Sequence, residues 1–469
     1  MNIPQNIEKY LKNYAVDDRW RLVSKTQCSV DNAVVIPALV EKESLFRTLA
    51  SLSENEQTEL NRTLIICVVN NRGGHITSLE DIANNQETIR LLNNVMEGDI
   101  TADDLSSPSI DKICRSRLKI AYVDASSPGS ELPDKNGRVG LARKIGLDMA
   151  LKAFNYEKPG VKLLFCLDAD TVVERNYLSA VRRFFEKEKA TAAVVAFQHQ
   201  DADDPSVQAA ICCYEIFLRY YVLGLSYANS MYAFHSIGST IACTADAYVA
   251  VRGMNRREAA EDFYFLNKLA KIRSVGLINT TIVYPSARPS TRVPFGTGQR
   301  VIRFLEGGQN EYMLYDPKVF SILREWLQLM PSCLDKDAGE ILILAEKIHP
   351  LLESFLRVNN FSVIWHRLRE NSKSSDGLYR QFLSWFDGFK SLRLIHHLTE
   401  NGISRVEMFT ALTELLEIMG RSYPERTAPD QTPDLGVQLK ILGYLRKEAF
   451  ELNSERIPRC LLRGDSKRP

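Results

Sequence analysis

The stretch from Leu163 to Val173, LLFCLDADTVV, decides how this chain reads. Five apolar-leaning residues run straight into Asp168 and Asp170, two acids separated by one alanine. A short continuous apolar run of this kind is the pattern of a strand buried on both faces of a sheet. Open α/β sheets place their ligands beyond the carboxyl ends of such strands, which is where the two acids stand. Two like charges about 4 Å apart repel by roughly 4 kcal/mol at an effective dielectric near 20. That repulsion needs an offset. A divalent cation is the simplest one, and such a cation could in turn grip a diphosphate. The plainer alternative is a strand end whose second Asp caps the following turn.

Outward from this segment, short β-branched runs alternate with helical patterns over roughly the first 290 residues, which predicts an α/β sheet flanked by helices. The expected strands are AVVIPAL (33–39), TLIICVVNN (63–71), LKIAYVDA (118–125), LLFCLDAD (163–170), AAVVAFQH (192–199) and GSTIACTADAYV (238–249). Helices are expected at EKESLFRTLASL, RVGLARKIGLDMALKAF and ERNYLSAVRRFFEKEKA. A polar stretch over about 72–117, with its own helix near NQETIRLLNNVMEG, reads as an insertion. Beyond Asp316 strand signals fade and apolar residues recur at helical spacing. Two domains are therefore expected: 1–315, carrying the sheet, and an all-helical 316–469, its last ten residues, CLLRGDSKRP, frayed.

Composition narrows the class. With 59 basic and 58 acidic residues the net charge is +1, so bulk electrostatics points to no nucleic-acid or membrane partner. The nine cysteines are odd in number and form no CxxC pair, which argues against a zinc site or a disulfide framework. The N-terminus, MNIPQNIEKYLKNY, has no apolar signal core. The longest apolar-rich region, YEIFLRYYVLGLSYANSMYAF, is interrupted by Glu215 and Arg219 and falls short of a clean membrane span. A cytoplasmic, reduced protein is expected, with peripheral membrane contact left open.

Three segments occur in a telling order: VVIPALVEKESLFRTLASL, LLFCLDADTVVERNYL and GMNRREAAEDFYFLNKLAK. In this order the chain resembles glycosyltransferase family 2 over roughly residues 32–304, the helical C-terminal part lying outside the resemblance. The resemblance implies the GT-A fold, a nucleotide-binding α/β sheet with a DxD metal site. It implies a nucleotide-sugar donor, an acceptor hydroxyl of unknown identity, and Mn²⁺ or Mg²⁺ held by Asp168 and Asp170. It places Pro37, Ala38 and Glu41 in the loop that holds the base and ribose; a helix N-terminal acid is the other reading of Glu41. Asn70 and Asn71 stand where the family usually carries an Asp facing the base, and Val40 replaces an Asn. Gly140 and Arg143, at a helix start that favours an anion, resemble a segment bordering the nucleotide. Lys144 is adjacent to Arg143, so at most one of the two faces the site.

Glu261 and Asp262 match the family's ED pair, in which the Asp is the general base and inversion is the implied outcome; an N-cap is the alternative. His235, Gly238 and Ser239 match the border of the acceptor pocket, although His235 reads first as a core histidine. Arg292, Arg300 and Arg303, in a glycine-containing loop, are candidates to neutralise leaving-group charge. The QxxRW element of processive members is absent.

Two other classes compete. DADTVV also fits the opening of haloacid-dehalogenase phosphatases, with Asp168 as nucleophile and Asp170 as acid/base, although that motif normally opens the core sheet and three strands precede it here. A non-catalytic GT-A-like scaffold is the third reading, against which stand the clustered acids. A pyrophosphorylase is disfavoured, because VIPALVEK is not a glycine-rich loop.

Overall fold

A computed structural model describes residues 3–25, 29–71, 77–134, 137–257, 260–291, 296–307, 310–422 and 432–455. The chain forms two compact units, Met1–Ala202 with Ser236–Gln299, and Asp203–His235 with Arg300–Pro469. A break at residue 316 is thus not where the chain divides. The helix Pro205–Tyr227 and residues 300–315 belong with the C-terminal helices, since their apolar side chains share one core with them.

The first unit is built on a nine-stranded sheet: β1 (Leu22–Val23), β2 (Asn32–Ala38), β3 (Thr63–Asn70), β4 (Lys119–Ala125), β5 (Leu163–Cys166), β6 (Val172–Val173), β7 (Ala192–Phe197), β8 (Ile241–Thr244) and β9 (Gly276–Tyr284). Their order is β1-β4-β3-β2-β5-β8-β7-β9-β6. The strands β2, β3, β4, β5, β7 and β9 run one way; β1, β6 and β8 run against them. From β2 the chain winds out through β3 to β4, then returns to add β5 on the other side of β2. This reversal leaves a crevice beyond the carboxyl ends of β2 and β5, the topological switch point where such sheets bind ligands. The α/β class, with a helix-flanked sheet and many C-terminal helices, is as expected.

Local chemistry explains where strands end. Of LLFCLDAD only Leu163–Cys166 pairs as strand; Leu167 still donates to Val35 O at 3.1 Å, and Thr171 N then closes a turn on Asp168 O before β6. Of GSTIACTADAYV only Ile241–Thr244 is strand, because the Thr244 side chain accepts from Ala247 N and starts the helix Ala245–Ala250. The strand β9 was not legible, since its polar Asn279-Thr280-Thr281 interrupts the pattern. Those residues bulge from the ladder, which runs from Val195↔Ile278 directly to Ala196↔Ile282.

Behind the sheet lies the helix Val139–Ala153, buried along nearly its whole length. On one side it packs on β2 and β3. On the other, Asp148, with no exposed surface, accepts from Tyr10 Oη (2.7 Å), Tyr248 Oη (2.8 Å) and Val16 N (2.9 Å) and pairs with Lys144 Nζ at 3.0 Å. Burial pulls the Lys144 ammonium below its usual range, and Asp148 opposes that pull. Lys144 therefore belongs to this anchor.

In the second unit, Trp326, Trp365, Phe361, Phe382 and Phe386 form the centre of a helical core. The helix Pro205–Tyr227 is, among the described residues, the one long and apolar enough to cross a membrane, and 67% of its apolar stretch is buried inside the protein. Its Glu215 is held internally by Arg219 (2.7 Å) and Arg446 (2.8 Å). The final ten residues lie outside the described ones.

Asp148→Ala is expected to destabilise the protein by about 3–5 kcal/mol, because it leaves the buried Lys144 charge uncompensated. Urea denaturation measures this, and a loss under about 1 kcal/mol would show that the network does not hold the helix.

Candidate active site

At the switch point the two acids of the opening segment sit in a loop fixed from both sides. The Thr48 hydroxyl, on the helix Lys42–Ser53, donates to Ala169 O at 2.9 Å, and the Gln200 amide donates to Asp170 O at 2.9 Å. Their side chains keep partial access to solvent, 33% for Asp168 and 24% for Asp170.

The offset their charges need is supplied by arginines. Arg143, only 3% exposed, donates through one terminal nitrogen to Asp168 and through the other to Glu261 at 3.0 Å. It thereby ties the LDAD segment to the ED segment. Gly238 lies flat against this guanidinium, whose atoms a Cβ there would meet at 2.2–2.5 Å. A Cβ on Gly140 would meet the Arg257 carbonyl oxygen at 2.6 Å and Glu261 Cβ at 3.1 Å, so this glycine admits the ED segment to the helix start. The second arginine is Arg288, in the irregular segment after β9. Its Nη2 bonds both Glu41 Oε1 and, at 3.2 Å, Asp170 Oδ2.

Glu261 and Asp262 open the helix Glu261–Ala270, where the dipole favours anions. The N-cap is Ala260, in left-handed backbone, with no side-chain cap. Asp262 is therefore not the cap, although its Oδ1 accepts from Phe263 N at 2.7 Å. Burial raises both carboxyls above the ordinary carboxylate range, Arg143 opposing the rise in each. For Asp262 the direction is that of a stronger base than a solvated aspartate near pKa 3.9.

The loop after β2 is strained. Val40 has φ +57°, a left-handed conformation that a β-branched residue rarely adopts and an asparagine tolerates. Its N–H donates to Asn85 Oδ1 at 2.9 Å. Asn85, wholly buried on the helix Leu79–Glu97, also donates to Asn70 O (3.1 Å) and Asn71 Oδ1. The Asn70 amide donates to Ala38 O (3.0 Å) and Val68 O (3.1 Å), so its hydrogens knit β2 to β3 where a base edge was expected to meet them. Pro37 and Ala38 end β2 beside this knot.

Of the remaining candidates, Ser239 is buried close to Gly238, its hydroxyl without a partner among the described residues. His235 belongs to the second unit, where burial lowers its imidazole to about 3, as a core histidine requires. Arg300 and Arg303 are also in that unit, paired with Glu311 at 2.8 and 2.6 Å. Arg292 lies outside the described residues. Sequence reasoning missed Arg288 and Asn85. No local pattern marks them, since each meets its partners only through the fold.

No three His, Cys, Asp or Glu side chains converge on a metal-sized site among the described residues. A cation caged by protein alone does not fit. One held by one or two carboxylates and completed by substrate phosphates and water does, as Mg²⁺ commonly is. The Nε atoms of Arg143 and Arg288 are buried and without a partner among the described residues.

No family model matches the sequence, and no curated protein matches it. Among solved structures, residues 1–349 of TarS from S. aureus in complex with UDP-GlcNAc align at 12% identity over 76% of this chain and 91% of that one, with a TM-score of 0.36. The mannosyltransferase PcManGT from Pyrobaculum calidifontis, in complex with GDP-Man and Mn²⁺, aligns at 12% identity over 96% and 92%, with a TM-score of 0.33.

Replacing Arg143 by Met is expected to cost about 3–5 kcal/mol at neutral pH, because Glu261 and Asp168 lose their shared cation. The loss should shrink as pH falls and Glu261 takes up a proton. An unchanged loss at pH 5 would mean that charge is not the cause. Val40→Asn should instead raise stability by about 1 kcal/mol through relieved backbone strain, read from the denaturation midpoint.

Proposed function

We propose that this chain transfers a sugar from a nucleotide-sugar donor to an acceptor hydroxyl, with inversion, using Asp262 as general base. The observation that carries the proposal is the Arg143 bridge. It gathers Asp168, Glu261 and the neighbouring Asp262 beyond the carboxyl end of β5, with Asp170 two residues from Asp168.

In this reading Pro37, Ala38 and Glu41 border the nucleotide, and Arg143 fixes Asp168 and Glu261 so that neither drifts as charge develops on the donor. Asp168 and Asp170, with the donor's diphosphate, would hold Mn²⁺ or Mg²⁺, which supplies positive charge toward the departing nucleoside diphosphate. Asp262 Oδ2 takes the acceptor proton while Oδ1 stays on the Phe263 N–H, which keeps the carboxylate oriented. The burial that raises its pKa makes it a better acceptor of that proton. The phosphatase alternative gains nothing here, since a nucleophilic Asp168 would have to attack while bonded to a buried guanidinium.

A panel of nucleotide sugars, each with and without Mn²⁺, tests the donor. A ligand at 100 times its dissociation constant adds about 2.7 kcal/mol, visible as a shift in thermal midpoint. The absence of a shift with every nucleotide sugar, alongside Mg²⁺-dependent phosphate release from simple esters, would replace this reading with the phosphatase.

Asp262→Asn should lower transfer by about 10²- to 10⁴-fold. Its thermal midpoint at pH 7.5 should match or exceed that of the wild type. A carboxyl whose pKa is raised on folding binds more protons in the native state, so its ionised form above that pKa is the one that costs stability. In the wild type the acid limb of the pH–rate profile should lie above the range of a solvated aspartate. Retained turnover in the variant would remove Asp262 from the role.

A further inference from the structure

We infer that Arg288 is the resting counter-ion of the donor site, holding Asp170 and Glu41 in the place a cation would take and passing to a diphosphate when one binds. This inference rests on the reading of the site as a nucleotide-sugar site. One nitrogen of Arg288 serves two carboxylates at once, Glu41 Oε1 and Asp170 Oδ2. The two carboxylates converge on that single point. Divalent cations bind at such points of convergence.

The partners differ in how firmly they are held. Glu41 stands at the start of the helix Lys42–Ser53, and the loop carrying Asp170 is tied down by Thr48 and Gln200. Arg288 sits in a segment without helix or strand, and its side chain is 37% exposed. It is the member on the least constrained backbone, and its side chain is the most solvent-accessible of the three, against 9% for Glu41 and 24% for Asp170. Its remaining donors are poorly used. Nε is buried without a partner among the described residues, and Nη1 reaches only Ser44 Oγ, at 3.4 Å. A guanidinium with spare N–H groups in one plane matches the oxygens of a diphosphate, which it can bind through two parallel hydrogen bonds. Arg288 and a cation thus exclude one another at Asp170 in the empty site, and both find partners once phosphate oxygens are present.

The test is Mn²⁺ binding to the full nucleotide-free chain, followed by the electron paramagnetic resonance of the free ion. Arg288→Gln should bind Mn²⁺ at least tenfold more tightly than the wild type. Arg288→Lys, which keeps the charge, should stay within about threefold of it, and Asp170→Asn added to Arg288→Gln should abolish the gain. An Arg288→Gln protein with native circular dichroism whose affinity lies within twofold of wild type overturns the inference, as does a gain that survives Asp170→Asn. Inorganic pyrophosphate in EDTA should raise the thermal midpoint of the wild type and leave that of Arg288→Gln unmoved; equal shifts in both would remove the diphosphate half. Neither titration uses a sugar donor or an acceptor. A chain that transfers no sugar yet shows the tenfold gain therefore retires the transferase reading alone, and a chain that transfers sugar without the gain retires only this inference.

Discussion

The site depends on one buried guanidinium. Arg143 is almost without solvent, and a charge so placed persists only if carboxylates on rigid elements balance it. Asp168 arrives at the end of β5, Glu261 at the start of its helix, and Arg143 itself from a helix clamped between the sheet and the Asp148 network. Each is far from the others in sequence. The glycines at 140 and 238 follow from the same constraint, since one lets the ED segment reach the helix and the other lets the guanidinium lie flat. Electrostatics, packing and chain path agree at this point, and the remaining acids are arranged around it.

This arrangement changes the electrostatic question raised by two aspartates at a strand end. Their repulsion is offset within the protein by Arg143 on Asp168 and Arg288 on Asp170. The two offsets differ in character. The first is buried and bridges the partly exposed Asp168 to the buried Glu261; the second is partly exposed and comes from irregular chain. A fixed arginine preserves geometry, whereas a partly exposed one can exchange partners, and among the described residues the crevice has one of each.

Much of the fold was legible because parallel strands buried on both faces carry a loud apolar signal; the runs leading to Ala38, Asn70, Ala125 and Cys166 each appear as strand. The acids were legible because they stand at the ends of those runs. What stayed hidden lacked a local signature. The strand β9 hides its period behind a polar bulge. Asn70 resembled a ligand-facing amide and is spent on backbone carbonyls, an outcome fixed by the spacing of β2 and β3. The helix Pro205–Tyr227 is continuous in sequence with the sheet region, yet its apolar face matches partners that begin 95 residues later. Arg288 finds Glu41 across nearly the whole first unit, and only the folded sheet brings the two together.

The polar stretch between β3 and β4 first reads as an ornament on the sheet. Its helix nevertheless sends Asn85 into the interior, where one amide secures the backbone of Val40 and the ends of β3. The unfavourable backbone of Val40 is thus sustained by a residue that an alignment-minded engineer would discard with the insertion. A minimal sheet unit cut from this chain must keep the helix Leu79–Glu97, and a loop transplanted in place of the one carrying Val40 will adopt its shape only if its own brace travels with it.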